Sequence, residues 1–112
     1  MNTPNKKRFK TKGVKDERYA PLKGMLTVAP KELRLELGLT QGDFWAPVGV
    51  SQSGGSRYES SRGLPPAISA LLHLVHLEGL DLRQICGDDC RAGALLREKD
   101  PMAYAALLKE SR

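Results

Sequence analysis

The stretch "LRLELGLTQGDFWAPVGVSQSGGSRYES", residues 33 to 60, has the pattern of three short helices in close succession. Leu33 and Leu37 lie four residues apart and predict one apolar face on a first helix. Pro30 is favoured at a first helical position, and Gly38 is typical of a left-handed residue after a last one. A first helix from Pro30 to about Gly38 is therefore expected.

The second and third helices are predicted by their caps. Thr40 is a good N-cap for the segment "TQGDFWAPV", which Pro47, Gly49 or both should end. Ser51 is a good N-cap for a third helix that runs to about Glu59. Two short helices joined through the tripeptide "VGV" are therefore expected.

The rest of the chain also favours helices. The expected elements are a longer helix from about Pro66 to Glu78, a short fifth helix in "GLDLRQICG", and helical segments in "CRAGALLREK" and "DPMAYAALLKE". Asp100 is the expected cap of the last segment and Pro101 its first residue. The fold class expected is all-α.

Charge is unevenly distributed along this 112-residue chain. Residues 1–23 hold eight basic and two acidic side chains, a net charge of +6, while the remainder holds ten basic and eleven acidic. We expect a basic arm at 1–23, disordered when free, then a domain at 24–86 and a C-terminal helical extension at 87–112. The arm suits a polyanion, although a solubilising tail is the alternative.

The polar, basic N-terminus has no apolar stretch after it, so we expect no signal peptide and a cytoplasmic protein. The longest apolar run is broken by His73, His76 and Glu78, short of the roughly 20 residues needed to cross a bilayer. Membrane association by a spanning helix is not expected.

Gly54 and Gly55 stand inside the third predicted helix, where each costs roughly 1 kcal/mol relative to alanine. A phosphate-binding loop is one explanation, but it would require a preceding apolar strand and a following lysine, and neither is present. The other explanation is that a bulky group approaches this helix closely.

The segments "LRLELGLTQ" and "VSQS..SRYES", with Gly49 in the sharp turn between them, resemble the Cro/repressor-type (XRE-like) helix-turn-helix regulators over residues 30 to 80. The resemblance implies a five-helix lambda-repressor-like domain that binds double-stranded DNA. It also implies a sequence-specific transcriptional regulator, most simply a repressor, and a homodimer on a two-fold operator is left open.

The resemblance assigns the site residues by position. Gln41, at the start of the second helix, would contact a phosphate, and Gln52, in the first turn of the third, would read a base. The other expected DNA contacts are Ser51, Ser53, Ser56, Arg57, Arg62 and, in the arm, Lys6, Lys7 and Arg8.

Two pairs are expected to be structural. In the family an arginine of the first helix pairs with a glutamate ending the third, and Arg34 and Glu59 occupy those positions. The chain departs from the family in having Trp45 in place of a small residue and Gly55 in place of a branched apolar one. Because the two changes are complementary in volume, Trp45 is expected to fill the space over Gly55.

Other functions have weaker sequence support. No pattern of catalytic residues is present, so we expect no enzyme and no cofactor. A zinc-binding domain is conceivable from His73, His76, Cys86 and Cys90, but the C-x3-C spacing is unusual. An antitoxin-like module with a protein partner stays open, as does the role of the last helix, which could pack on its own domain or on a second copy.

Overall fold

The computed structural model describes residues 17–61 and 63–112, and every regular element in those residues is helical. The α-helices are α1 (Pro30–Leu37), α2 (Gln41–Trp45), α3 (Gln52–Ser60), α4 (Pro66–Leu72), α5 (Gly87–Lys99) and α6 (Pro101–Ser111). Short 3-10 helices cover Glu17–Tyr19 and Ala46–Val48, and a π-helical segment covers His73–Leu77. None of the described helices has the length and apolar character needed to cross a bilayer. The all-α class is confirmed for this part of the chain.

The predicted helix caps are present. Gly38 follows α1 in the left-handed region, with φ of 70°. The Thr40 hydroxyl accepts the backbone N–H of Asp43 at 3.1 Å, and the Ser51 hydroxyl accepts that of Gly54 at 3.1 Å. Each side chain satisfies one of the free N–H groups at the start of its helix, so the starts of α2 and α3 are locally specified.

The turn between α2 and α3 is tight. α2 ends at Trp45, and the chain continues as the 3-10 helix Ala46–Val48, which contains Pro47. Gly49 then has φ of 79°, a left-handed conformation that most side chains disfavour. Six residues, 46–51, therefore connect the end of α2 to the start of α3.

A small core joins α1, α2, α4 and the turn. Its fully or almost fully buried apolar residues are Leu33, Phe44, Trp45, Val48 and Leu72. The prediction that Leu37 shares the buried face of Leu33 is wrong, because Leu37 is 43% exposed while Leu33 is 5% exposed. Leu37 is the last residue of α1, directly before the left-handed Gly38.

One of the two predictions for residues 66–87 is confirmed and the other is wrong. The expected helix from about Pro66 to Glu78 is present without a break over residues 66–77, although it is α-helical only to Leu72 and then widens into the π-helical segment, where Glu78 N–H donates to the His73 carbonyl at 3.0 Å. The expected short helix in "GLDLRQICG" is a turn. There the Asp81 carboxylate accepts the backbone N–H of Arg83 at 3.0 Å, a local bond that competes with helix formation. The five-helix lambda-repressor-like layout is therefore not reproduced in full.

The C-terminal helices α5 and α6 pack against each other. The predicted cap of α6 is confirmed, because the Asp100 carboxylate accepts the N–H of Ala103 at 3.1 Å. Neither helix contains a buried residue, and Leu95, Met102 and Leu107 are more than half exposed. This hairpin, residues 87–111, thus leaves much of its apolar surface uncovered.

Candidate nucleic-acid interface

Arg34 of α1 and Glu59 of α3 form a two-pronged ion pair. Arg34 Nε donates to Glu59 Oε2 at 2.9 Å, and Arg34 Nη2 donates to Oε1 at 3.0 Å. The third guanidinium nitrogen, Nη1, donates to the Leu39 carbonyl at 3.0 Å. The side chains are 13% and 3% exposed, so the pair is largely shielded from water. It ties α1 and the α1–α2 link to the end of α3.

Glu59 also accepts two hydrogen bonds from α2. Trp45 Nε1 donates to Oε2 at 2.8 Å and Gln41 Nε2 donates to Oε1 at 3.3 Å. Burial disfavours the charged carboxylate, but the bonds from Arg34, Trp45 and Gln41 and the Arg34 charge hold the pKa of Glu59 below its usual range. Because each oxygen accepts two donors, Glu59 links α1, α2 and α3 at one point.

The structure places the indole of Trp45 directly over Gly55, in the contact that the sequence predicts. An ideal Cβ built on Gly55 would lie 2.2 Å from Cδ1 and 2.3 Å from Cγ of Trp45, a separation that real atoms do not tolerate. Trp45 is fully buried, and its ring meets Phe44 edge-on and Tyr58 at centroid distances of 5.2 and 5.6 Å. The absent side chain at Gly55 is what lets α2 and α3 approach around the indole.

One face of α3 is polar and accessible. Gln52, Ser53 and Arg57 are exposed, and Ser56 is half-buried. A shallow surface depression brings together Gln41, Ser51, Gln52, Ser53 and Ser56. The residues assigned by position to DNA contacts in α2 and α3 therefore share one surface, apart from Arg57, which lies on α3 outside the depression.

Two of the expected DNA-contacting residues already make hydrogen bonds within the protein. Ser51 is engaged as the cap of α3 and lies 3.3 Å from the Ser53 hydroxyl, and Gln41 donates one N–H to Glu59. Four further expected contacts lie outside the described residues, namely Arg62, Lys6, Lys7 and Arg8. The groups available on this surface are thus amides and hydroxyls, and the exposed Arg57 guanidinium lies on α3 outside the depression.

His76 has a role that the sequence analysis missed. The sequence analysis named it only as a break in an apolar run and as a conceivable zinc ligand, but its ring stacks on Phe44 at 4.4 Å, and its Nε2 donates to the Phe44 carbonyl at 2.8 Å. Among the described residues, no three His, Cys, Asp or Glu side chains come together as a metal site would require. The i to i+3 spacing of His73 and His76 thus brings one imidazole onto the core.

Ser69 was also missed. It is 3% exposed, and its hydroxyl accepts the backbone N–H groups of Met25 and Leu26 at 2.9 and 2.8 Å. The available signal was its position in "AISALL", where it is the one polar residue among the apolar positions of α4. A lone serine in such a pattern is a candidate for a buried hydrogen bond.

The comparison with known families agrees with this geometry. Residues 31–75 match the family model described as the RsaL-like HTH domain. No curated protein and no solved structure matches the chain. The matched residues start one residue into α1 and end within the π-helical segment, so they include the α2–turn–α3 unit and the Glu59 cluster. Residues 31–75 are therefore a helix-turn-helix domain, of the kind that DNA-binding transcriptional regulators use.

Proposed function

We propose that this protein is a sequence-specific DNA-binding transcriptional regulator, most simply a repressor, with α3 as its recognition helix in the major groove. We also propose that its DNA-binding domain is of the Cro/repressor type. The Arg34–Glu59 ion pair and the helix caps Thr40 and Ser51 support this assignment. A DNA-binding regulator must share a compartment with its DNA, so we propose that the protein is located in the cytoplasm of a bacterial-type cell.

The observation that carries the proposal is the exposed polar face of α3. Gln52 is the first residue of α3, and it is exposed. A glutamine amide pairs with the N6 and N7 atoms of adenine through one donor and one acceptor. Arg57, one and a half turns later, supplies a charge for a phosphate or a guanine.

Gln41 supports the phosphate contact expected of α2. One N–H of its amide is bound to Glu59, which fixes the side chain at the N-terminus of α2. The amide has a second N–H, and the first backbone N–H groups of the helix add partial positive charge beside it. Gln41 is thus the proposed link between the Glu59 cluster and the DNA backbone.

A second copy of this chain is proposed to cover the α5–α6 hairpin. Helices of 13 and 11 residues are marginal on their own, and these bury no residue in the single chain. α6 has Asp100 at its start, and Lys109, Glu110 and Arg112 give its end a net side-chain charge of +1, so antiparallel pairing of two copies places opposite net charges together. A two-fold dimer would also present two α3 helices to two half-sites.

The reading role of Gln52 is tested by Gln52→Ala, with Gln84→Ala as the matched control because Gln84 is exposed in the 79–86 turn region. Gln52→Ala is expected to lose about 1 to 3 kcal/mol of discrimination between preferred and altered sites. Competition titrations with variant duplexes measure this loss. Unchanged discrimination in Gln52→Ala, or an equal loss in Gln84→Ala, would exclude the role.

The antitoxin-like alternative is favoured by one observation, the same exposed hairpin, which a different protein could cover. It predicts a tight complex with that protein and no sequence preference on DNA. The DNA titrations above therefore discriminate between the two functions.

A further inference from the structure

Ser69 of α4 holds the segment that leads from the basic N-terminal region into α1. Its hydroxyl accepts two consecutive backbone N–H groups, from Met25 at 2.9 Å and Leu26 at 2.8 Å. The serine is 3% exposed, and an ideal Cβ on Gly24 would lie 3.7 Å from its Oγ. Residues 24–26 are thus fixed to the body of the domain although they form no regular element.

The fixed segment runs beside the end of the recognition helix. One groove is bordered on one side by Gly24, Leu26 and the residues up to Pro30, and on the other by Tyr58, Glu59 and Ser61. Leu26 also packs against the core. The chain N-terminal to Gly24 therefore leaves the domain next to the C-terminal end of α3.

All of the excess positive charge of the chain lies in residues 1–23, which precede the fixed segment in the sequence. Residues 1–23 carry a net charge of +6, whereas the remainder of the chain carries eleven acidic and ten basic side chains. A tethered cation contributes to DNA binding in proportion to its effective concentration near the phosphates. That concentration depends on where the tether is attached, which here is at Gly24.

We propose that Ser69 is a positioning residue for DNA binding, which sets the origin of the basic segment 1–23 beside α3 so that its cations reach the phosphates flanking the α3 site. This inference rests on the proposed DNA-binding function. Ser69 itself does not touch DNA. Loss of its hydroxyl leaves two N–H groups without their acceptor, so the segment 24–26 is held less firmly against α4, although Leu26 still packs against the core.

The test is a double-mutant cycle in the full chain, combining Ser69→Ala with deletion of residues 2–18. Binding to a fluorescent mixed-sequence duplex is measured from 50 to 200 mM salt. Deletion is expected to flatten the dependence of log K on log salt, because fewer phosphates are neutralised. Ser69→Ala is expected to weaken binding of the full chain about five- to tenfold at low salt, with a smaller slope, and to change the truncated chain by less than about twofold.

A second variant protects the test against misfolding of Ser69→Ala. Insertion of a twelve-residue Gly/Ser linker between Lys23 and Gly24 leaves the Ser69 bonds in place and frees the origin of the basic segment. It is expected to reproduce the loss of affinity and slope, while Ser111→Ala, at the far end of α6, is expected to change neither.

These experiments distinguish the positioning role of Ser69 from DNA binding itself. Equal effects of Ser69→Ala in the full and truncated chains, no effect in either, or an unchanged salt slope after deletion would overturn the positioning role while DNA binding stands. A linker insertion without effect would also overturn it. A wild-type chain that binds no duplex would overturn both proposals.

Discussion

A single carboxylate holds three helices of this domain together. Glu59 accepts four hydrogen bonds, from Arg34 twice and from Trp45 and Gln41 once each. The pair with Arg34 was predictable from the sequence because family position gave it. The bonds from Trp45 and Gln41 were not, since they depend on how deep the indole sits after Gly55 removes a side chain.

Replacing this carboxylate with an amide tests its role. In Glu59→Gln, an amide NH₂ group replaces a carboxylate oxygen that accepts two hydrogen bonds, so donor faces donor. The buried Arg34 charge also loses its ion-pair partner. We therefore expect a loss of about 3 to 5 kcal/mol in the free energy of unfolding at pH 7. Denaturant unfolding measures it.

The pH dependence of the same variant has a defined sign. Because the pKa of Glu59 is lowered on folding from the usual value of 4.5, its contribution is fully present above pH 4.5 and is lost as the pH falls through the folded pKa. The difference in unfolding free energy between wild type and Glu59→Gln should therefore shrink on acidification. A difference that stays constant from pH 7 to pH 3 would show that Glu59 is not the titrating group.

Among the helices, α2 and α3 pack closely because the large side chain of Trp45 lies over Gly55, which has no side chain. The sequence predicted this exchange because Trp45 and Gly55 depart from the family pattern in complementary directions. It did not predict the 3-10 helix Ala46–Val48 or the π-helical segment His73–Leu77, whose helical periods depend on contacts far along the chain. The bond from His76 to the Phe44 carbonyl is one such contact.

The fit of these helices is tested by a double-mutant cycle. Gly55→Ile should destabilise the domain strongly in the presence of Trp45 and much less in the presence of Trp45→Ala, because the added side chain then occupies the vacated space. Thermal and denaturant unfolding measure the coupling. Additive effects of the two substitutions would mean that the sites do not constrain each other.

A second glycine supplies the control. Gly93 lies inside α5, and a Cβ there would meet nothing within 4 Å, so Gly93→Ala should stabilise that helix by about 0.5 to 1 kcal/mol. Gly55→Ala should destabilise its helix despite the same gain in helix propensity. Destabilisation by both would point to a cause other than the Trp45 contact.

In the molecule as a whole, the described residues include a helix-turn-helix domain at 31–75 and a C-terminal helical hairpin that contains no buried residue. Binary pattern and caps predicted the helices of both parts, since these signals are local. They could not predict that the 79–86 stretch stays a turn, where Asp81 and Arg83 bond locally. The proposed pairing of two hairpins would depend on contacts between molecules, which no pattern within one chain specifies.

Self-association is tested by Leu107→Glu in α6. Leu107 is 54% exposed in the single chain, and a buried charge in a dimer interface would shift the protein toward monomer. Leu35→Glu, at 60% exposure on α1, is the matched control and should leave the mass unchanged in sedimentation equilibrium. A wild-type chain that sediments as a monomer at high micromolar concentration, or equal effects of both variants, would contradict a dimer through this hairpin.

Selection of bound sequences from random DNA by the full chain is the sharpest test of sequence-specific DNA binding by this protein. We expect an enriched motif made of two related half-sites about one helical turn apart, with the base preference at one position relaxed in Gln52→Ala and retained in Gln84→Ala. Recovery of no motif above the unselected pool, by a chain that is folded and soluble, would contradict it.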